Sequence, residues 1–182
     1  MRYLKFFIIG LLTLFLALTA LSLLLPSNLR ISRVVNVSAS RAKTAATIAD
    51  LRGWNEWNQF VRNTPLTNKR YSSPATGKGA WLSSDQLTIH ETVADSNGVV
   101  LQWDLKGGKQ YAGGFDLLIV NPDSLTVQWW FDLHFHWYPW EKLGAFVYDR
   151  KRGPAMEESL DSLRLYLENS RYLRPAEPGP SR

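Results

Sequence analysis

The 182-residue chain contains no cysteine, three histidines and two methionines. Without cysteine there is no disulfide, no thiolate metal site and no cysteine nucleophile. The same absence leaves the redox compartment open. Net charge is low: 21 Lys and Arg against 16 Asp and Glu give +5, and two of the basic residues, Arg2 and Lys5, flank an apolar segment. The rest are dispersed except for Arg150-Lys151-Arg152, which reads as a solvated helix face or turn. With no clustered basic patch, nucleic-acid binding is not expected. Catalytic signatures are missing as well. There is no Gly-x-Ser-x-Gly elbow, no P-loop and no dinucleotide fingerprint. Gly107-Gly108 and Gly113-Gly114 open no helix, so they read as turns or a bulge in a curved sheet rather than phosphate loops. No cofactor is implied.

What is plentiful is apolar and aromatic. Hydrophobic residues make up 45% of the chain and aromatics 13%, with eight Trp. Burying an indole requires a partner for its N–H. This many therefore point either to a lined pocket or to an aromatic-rich core. The length suits one domain with its own core, plus an anchor and a tail.

Phe6 to Leu25 is apolar throughout, broken only by Gly10, Thr13, Thr19 and Ser22. A bilayer needs about 20 such residues in a helix. A cleaved signal peptide has an apolar region of about 7–15 residues followed by a small-x-small site. Here the weak candidate, Ala20-Leu21-Ser22, lies inside the run. The segment is therefore read as an uncleaved signal anchor over residues 4–25. The basic N-terminal tail places the domain outside the cytoplasm, although Arg30, Arg33, Arg41 and Lys43 pull the other way. The expectation is a single-pass protein of a bacterial inner membrane with its domain on the periplasmic side.

Ile31 to Val37 predicts a strand. Ser38-Ala39-Ser40 offers an N-cap to an Ala-rich helix over Arg41 to Leu51, and Gly53 stops it. Trp54 and Trp57 share a face of a second short helical turn. From Lys69 onward the pattern is an antiparallel meander, with strands over Lys69–Ser72, Lys78–Ser83, Gln86–Ala94, Val99–Lys106, Tyr111–Val120 and Ser124–His136. Asp95-Ser96-Asn97-Gly98 predicts a hairpin turn with positive φ at Asn97 and Gly98. The last strand alternates, with Val127, Trp129, Phe131, Leu133 and Phe135 on one side. It runs into Tyr138-Pro139-Trp140, where the period becomes helical. The closing helix extends from Trp140 to Asn169, with a break or kink at Gly153-Pro154. Met156, Leu160, Leu163 and Leu167 form its apolar stripe. The Pro-rich end, residues 171–182, reads as a disordered tail.

Four local patterns carry a family resemblance. Leu51-Arg52-Gly53-Trp54-Asn55-Glu56-Trp57, with Asp50 before it, is similar to a D-x-x-x-W-x-x-W motif after a first helix. Gly77-Lys78-Gly79-Ala80-Trp81 resembles a G-x-G-x-x-W/Y turn into a strand, and Thr126-Val127-Gln128-Trp129 a T-x-V-x-W strand. Tyr138-Pro139-Trp140-Glu141-Lys142, followed by Leu160 and Leu163, resembles the lead into a closing helix. In this order, over Leu29 to Ser170, they resemble the START-related (SRPBCC) superfamily and its polyketide cyclase/dehydrase-like members, in the subgroup with one N-terminal anchor. The resemblance implies an α+β helix-grip domain over residues 29–170: a curved antiparallel sheet wrapped around a long C-terminal helix. It supplies no catalytic residues, because this fold hosts unrelated activities.

Strand parity picks the candidate site residues. Trp81, Leu87, Ile89, Trp103, Leu105, Trp129, Phe131 and Leu133 are expected to face inward, where they either line an apolar cavity or simply fill the space between sheet and helix. Trp54 and Trp57 would close one end, and Tyr138 and Trp140 the other. Glu91 shares parity with Ile89 and Val93. It is either an inward carboxyl with a raised pKa, fit to act as acid or base or to orient a ligand, or a strand-end residue with its head in water. Asp132, His134 and His136 share the opposite face, as do His90 and Asp104 on their own strands. A His-x-His pair with a carboxylate is a zinc pattern, but these three lie away from the apolar side and no metal is expected. The reading is a membrane-anchored protein that binds a lipid or other apolar small molecule. The alternatives are a cyclase- or dehydratase-like enzyme using Glu91, and a protein-interaction module with a vestigial cavity.

Overall fold

A computed structural model describes residues 2–24, 26–62, 66–121, 124–136 and 138–172. In chain order the elements are α1 (Arg2–Leu24), β1 (Asn28–Val37), α2 (Arg41–Ala49), α3 (Trp54–Trp57), α4 (Gln59–Arg62), β2 (Arg70–Tyr71), β3 (Trp81–Ser83), β4 (Leu87–Asp95), β5 (Gly98–Leu105), β6 (Lys109–Asn121), β7 (Ser124–His134) and α5 (Pro139–Tyr172). The strands form one curved antiparallel sheet in the order β1-β7-β6-β5-β4-β3-β2. β2 to β7 pair in sequence, and β1 closes the β7 edge. The α+β helix-grip architecture expected from the sequence is present.

Alternation decides which face of the sheet is covered. Val127, Trp129, Phe131, Leu133 and Phe135 are all buried, as are Ile89, Leu101 and Trp103 on the neighbouring strands. Met156, Leu160, Leu163 and Leu167 of α5 meet them in one core cluster. Each such side chain contributes roughly 1.5–3 kcal/mol when removed from water. Ser40 caps α2 by accepting from the Lys43 amide at 3.4 Å, as its position before an Ala-rich run predicts.

α5 is a single helix with Pro154 inside it, rather than two. A clamp from β1 spans the weak point. Arg33 donates to Asp149 at 2.9 Å and to Glu157 at 2.6 Å, one on each side of Gly153. A side chain at Gly153 would collide with that guanidinium. The helix extends to Tyr172, past its expected end, and the rest of the expected tail, 173–182, lies outside the described residues.

The glycine pair Gly113-Gly114 forms neither turn nor bulge. Both lie in regular register within β6. A Cβ at Gly113 would stand 2.7 Å from the Phe131 ring, and one at Gly114 2.5 Å from the Val99 carbonyl. Their bareness admits two rings, Phe131 inside and Trp130 outside. Trp130 is buried although it points outward, because Arg30 lies 4.4 Å above its ring and is held there by two 2.7 Å bonds to Asp132.

Three other expectations are corrected. A β-bulge between Glu91 and Val93 reverses the parity of β4, so Val93 faces out, 46% exposed. The β4–β5 turn centres on Ser96-Asn97 and not on Asn97-Gly98, since Asp95 pairs with Gly98. The Asp95 carboxylate accepts from the amides of Asn97 (2.6 Å) and Gly98 (3.1 Å), and Asn97 keeps a negative φ. Finally, Trp81 pairs with His90 on the outer face. Its neighbour Leu82, opposite Ile89, is the inward residue of β3.

Candidate functional site

The space expected over the sheet is occupied by aromatic rings. Trp54, Trp57, Trp103, Trp129, Phe115 and Phe131 are all fully buried. Phe115 stacks on Trp129 with centroids 4.8 Å apart, Trp103 meets Phe131 at 5.1 Å, and Trp54 meets Trp57 at 5.4 Å. Phe60 of α4 caps the cluster, its ring edge-on to Trp129 at 5.4 Å. These separations are those of favourable ring pairs. Trp54 and Trp57 therefore belong to the centre of the core rather than to one end of a cavity. Trp54 donates to the Ile48 carbonyl at 2.7 Å. The indole nitrogens of Trp57, Trp103 and Trp129 have no hydrogen-bond partner among the described residues.

Open space lies at the rim, where the β5–β6 hairpin faces α5. A cavity of about 550 Å³ is lined by Gly108 to Tyr111, His134 to His136, Trp140, Glu141 and Tyr148. A smaller one of about 300 Å³ touches Phe60, Leu87, Trp103, Leu105, Lys106 and Arg152. Arg152 lies between them. It lines the smaller cavity and sits 5.0 Å over the ring of Tyr111, which lines the larger. The guanidinium is also 5.8 Å from the rings of Phe60 and Phe131. Arg152 is thus half-buried against aromatic faces and not on a solvated helix face.

Four polar side chains meet at the larger cavity or its border. Lys109 donates to the Tyr148 hydroxyl at 3.2 Å, and the hydroxyls of Tyr111 and Tyr148 stand 3.4 Å apart. Burial pushes the Tyr111 hydroxyl up to about 12. Tyr148 goes the other way. The hydrogen bond from Tyr111 lowers it, burial partly offsets this, and the bond from Lys109 lowers it further. Lys109, Tyr111, Tyr148 and Arg152 were not among the residues singled out from sequence. A signal was available: Tyr148 and Arg152 extend the inner stripe of α5 backward from Met156 in steps of four.

Of the expected site residues, Leu87, Trp103 and Leu105 reach the smaller cavity and Trp140 the larger. Ile89, Trp129, Phe131 and Leu133 are packed in the core. Tyr138 is half-buried and stacks on Trp140 at 5.0 Å. Trp140 itself is 61% exposed, so it borders the cavity without sealing it. Glu91 points inward and is 2% exposed, with both oxygens lacking a hydrogen-bond partner among the described residues. Burial pushes its carboxyl up to about 8; the nearby Gly77 amide lowers it and the Asp50 carboxylate raises it. It lies beneath the turn before β3, bonded through its backbone to Gly79 and Ala80, and lines neither rim cavity.

The outward polar residues are each engaged separately. His134 meets Asn28 at 2.7 Å, His136 meets Glu141 at 3.0 Å, and His90 lies 3.7 Å from Asp104. Among the described residues no cluster of His, Asp and Glu has the makings of a metal site.

Residues 28–168 match the family described as "Polyketide cyclase / dehydrase and lipid transport". The chain belongs to this family. No curated protein matches the sequence significantly. Among solved structures, the chain is similar to a truncated norcoclaurine synthase from Thalictrum flavum, with 14% identity and a TM-score of 0.56 over 76% of this chain and 92% of that one. A START superfamily protein from Mycobacterium smegmatis has 16% identity and a TM-score of 0.56, covering 78% of this chain and 98% of that one. At such identities the likeness shows the shared fold. Membership of the polyketide cyclase and lipid-transport family accounts for the grip of sheet on helix.

Proposed function

We propose that the protein is a membrane-anchored binding protein. It holds an apolar molecule with an acidic or phenolic head group in the rim cavity between the β5–β6 hairpin and α5. One observation carries this reading: a cavity of about 550 Å³, within the range of small-molecule sites, brings Lys109 and the Tyr111–Tyr148 pair to an aromatic wall. The apolar part of the ligand lies along Phe135 and Trp140, and its head accepts from Lys109 or Tyr111. The family's description, which includes lipid transport, agrees with such a ligand. α1 supplies the anchor. It is long and apolar enough to cross a bilayer, a test that a signal sequence also passes. The short basic tail, Arg2 and Lys5, favours a cytoplasmic N-terminus and so a domain on the periplasmic side of an inner membrane.

A second reading, an enzyme of the cyclase or dehydratase type, draws on Tyr148. Its hydroxyl, which accepts from Lys109 and borders the cavity, is better placed for proton transfer at this rim than Glu91, which lines neither cavity. Its chemistry would be proton transfer on a bound apolar substrate.

Native mass spectrometry of the full chain, released from detergent micelles after gentle purification, tests both readings. The binding reading expects a co-purifying apolar acid or phenol that is lost on Lys109→Ala. Conversion of that molecule, abolished in Tyr148→Phe with binding retained, favours the enzyme. A clean apo mass with no uptake from fatty acids or phenols overturns both and moves the assignment to protein interaction.

A further inference from the structure

We propose that the rim of the larger cavity is a membrane-contact surface: His136, Tyr138 and Trp140 lie in the interfacial layer of the bilayer that α1 crosses, so the cavity opens onto lipid. The inference rests on the reading of α1 as an anchor. The helix from Tyr3 to Leu24 has 22 residues and almost no contact with the domain along its length. At 1.5 Å per residue it measures about 33 Å, close to the roughly 30 Å of bilayer hydrocarbon. Its C-terminal turn therefore lies at the interface, and the domain is bonded to that turn. Lys142, on the first turn of α5, is buried and donates to the Ser22 carbonyl at 2.9 Å. The Phe135 amide donates to the Ser27 carbonyl at 2.8 Å, and Asn28 pairs with His134. Segment 134–142 is thus held at two points to the end of α1 and the link that follows it.

That segment carries the side chains an interface takes up. Trp140 is 61% exposed, and its ring lies parallel to Tyr138 at 5.0 Å with 11° between planes. In water the exposed face of Trp140 and the uncovered part of Tyr138 leave apolar surface unburied. At headgroup depth the rings are buried while their polar edges stay hydrated. His136, Trp140 and Glu141 also line the cavity, so two of the three residues that would touch lipid, His136 and Trp140, stand at its mouth. A ligand would then move laterally between leaflet and cavity without crossing water.

Because the chain has no cysteine, single labels report position without background. Three variants of the full chain, His136→Cys, Ile119→Cys and Leu18→Cys, would each be coupled to an environment-sensitive fluorophore. Each would be reconstituted into nanodiscs of phosphatidylcholine and phosphatidylglycerol that contain spin-labelled phospholipids. Ile119 is exposed at the far end of the sheet, and its partner Leu125 is nine residues along β7 from His134, roughly 30 Å. The proposal expects quenching and a blue shift at 136, neither at 119, and weaker quenching at 136 when Trp140→Ala is added. An unquenched label at 136 beside a quenched one at 18 leaves the anchor standing and overturns the contact surface. Quenching at both 136 and 119 overturns a contact confined to the rim. No quenching at 18 refutes the anchor, and the inference falls with it.

Discussion

The ammonium of Lys109 donates to the hydroxyl of Tyr148 across 3.2 Å, joining the first residue of β6 to the inner face of α5. Both groups border the rim cavity, and Tyr111 adds a third donor within 3.4 Å of Tyr148. A ligand with an anionic head gains a charge-assisted hydrogen bond there, worth about 1.5–3 kcal/mol. Lys109→Ala should therefore weaken binding of a fatty acid about tenfold or more. The fatty alcohol of the same chain length should bind nearly as before. Isothermal titration calorimetry on the pair checks this. Equal losses for acid and alcohol would remove Lys109 from head-group recognition.

Glu91 gives the protein a pH dependence of defined sign. Its carboxyl is raised to about 8 in the folded chain, against about 4.3 when unfolded. Between those values the native state binds more protons than the unfolded state, so stability falls as pH rises through the window. Above about 8 the full cost of the buried charge is present. Glu91→Gln should flatten the curve and stabilise the protein at pH about 9 by on the order of 1–3 kcal/mol relative to the native residue. Chemical denaturation of the two forms at pH about 6 and about 9 measures this. A variant whose stability falls with pH as steeply as the parent would point to another group.

Much of the fold was legible because period two survives wherever strands are long. β7 and β5 place Val127, Trp129, Phe131, Leu101 and Trp103 inward as their alternation requires. Legibility failed where strands are short or interrupted. β3 has three residues, too few to show a period, and the large Trp81 suggested the wrong face. The bulge after Glu91 shifted parity without any Gly or Pro to announce it. The rim was missed for a different reason. Lys109 and Tyr148 are 39 positions apart, so their meeting depends on how sheet and helix pack, which periodicity does not report. The stripe of α5 was traced forward from Met156, when Arg152 and Tyr148 continue it backward. Ring size left lining and filling open, because periodicity gives direction and not distance; in the structure Phe60 and Trp54 pack over Trp103 and Trp129.

Gly114 tests the close approach of strands under Trp130. An added Cβ would stand 2.5 Å from the backbone oxygen of Val99 and 2.9 Å from the Trp130 ring. A β-sheet backbone cannot yield as a side-chain tip does. Gly114→Ala should therefore cost about 1–3 kcal/mol through overpacking. The outward Val93→Ala, at a position 46% exposed, should cost less than 1 kcal/mol. Thermal denaturation of both variants in one buffer provides the comparison. A Gly114→Ala protein as stable as the parent would mean that β5 and β6 adjust freely here.

On the binding reading, Arg152 stands where it would limit the length of ligand the rim accepts. Its guanidinium covers Tyr111 at 5.0 Å and borders the smaller cavity, the position a partition between the two spaces would take. Contacts with the rings of Tyr111, Phe60 and Phe131 hold it in place. Truncation removes both the partition and those contacts. Arg152→Ala should lower stability by about 1–2 kcal/mol, since cation–π contacts and the packed aliphatic stem are lost. It should also let the larger cavity run through to Trp103 and Leu105 at the floor of the smaller. The affinity of fatty acids should then keep rising with chain length beyond the point where the parent levels off, at about 0.8 kcal/mol for each added methylene that becomes buried. Titration of a homologous acid series against both proteins reads this directly. If the two level off at the same length, Arg152 is no partition, and its role at the rim is confined to holding the Tyr111 ring.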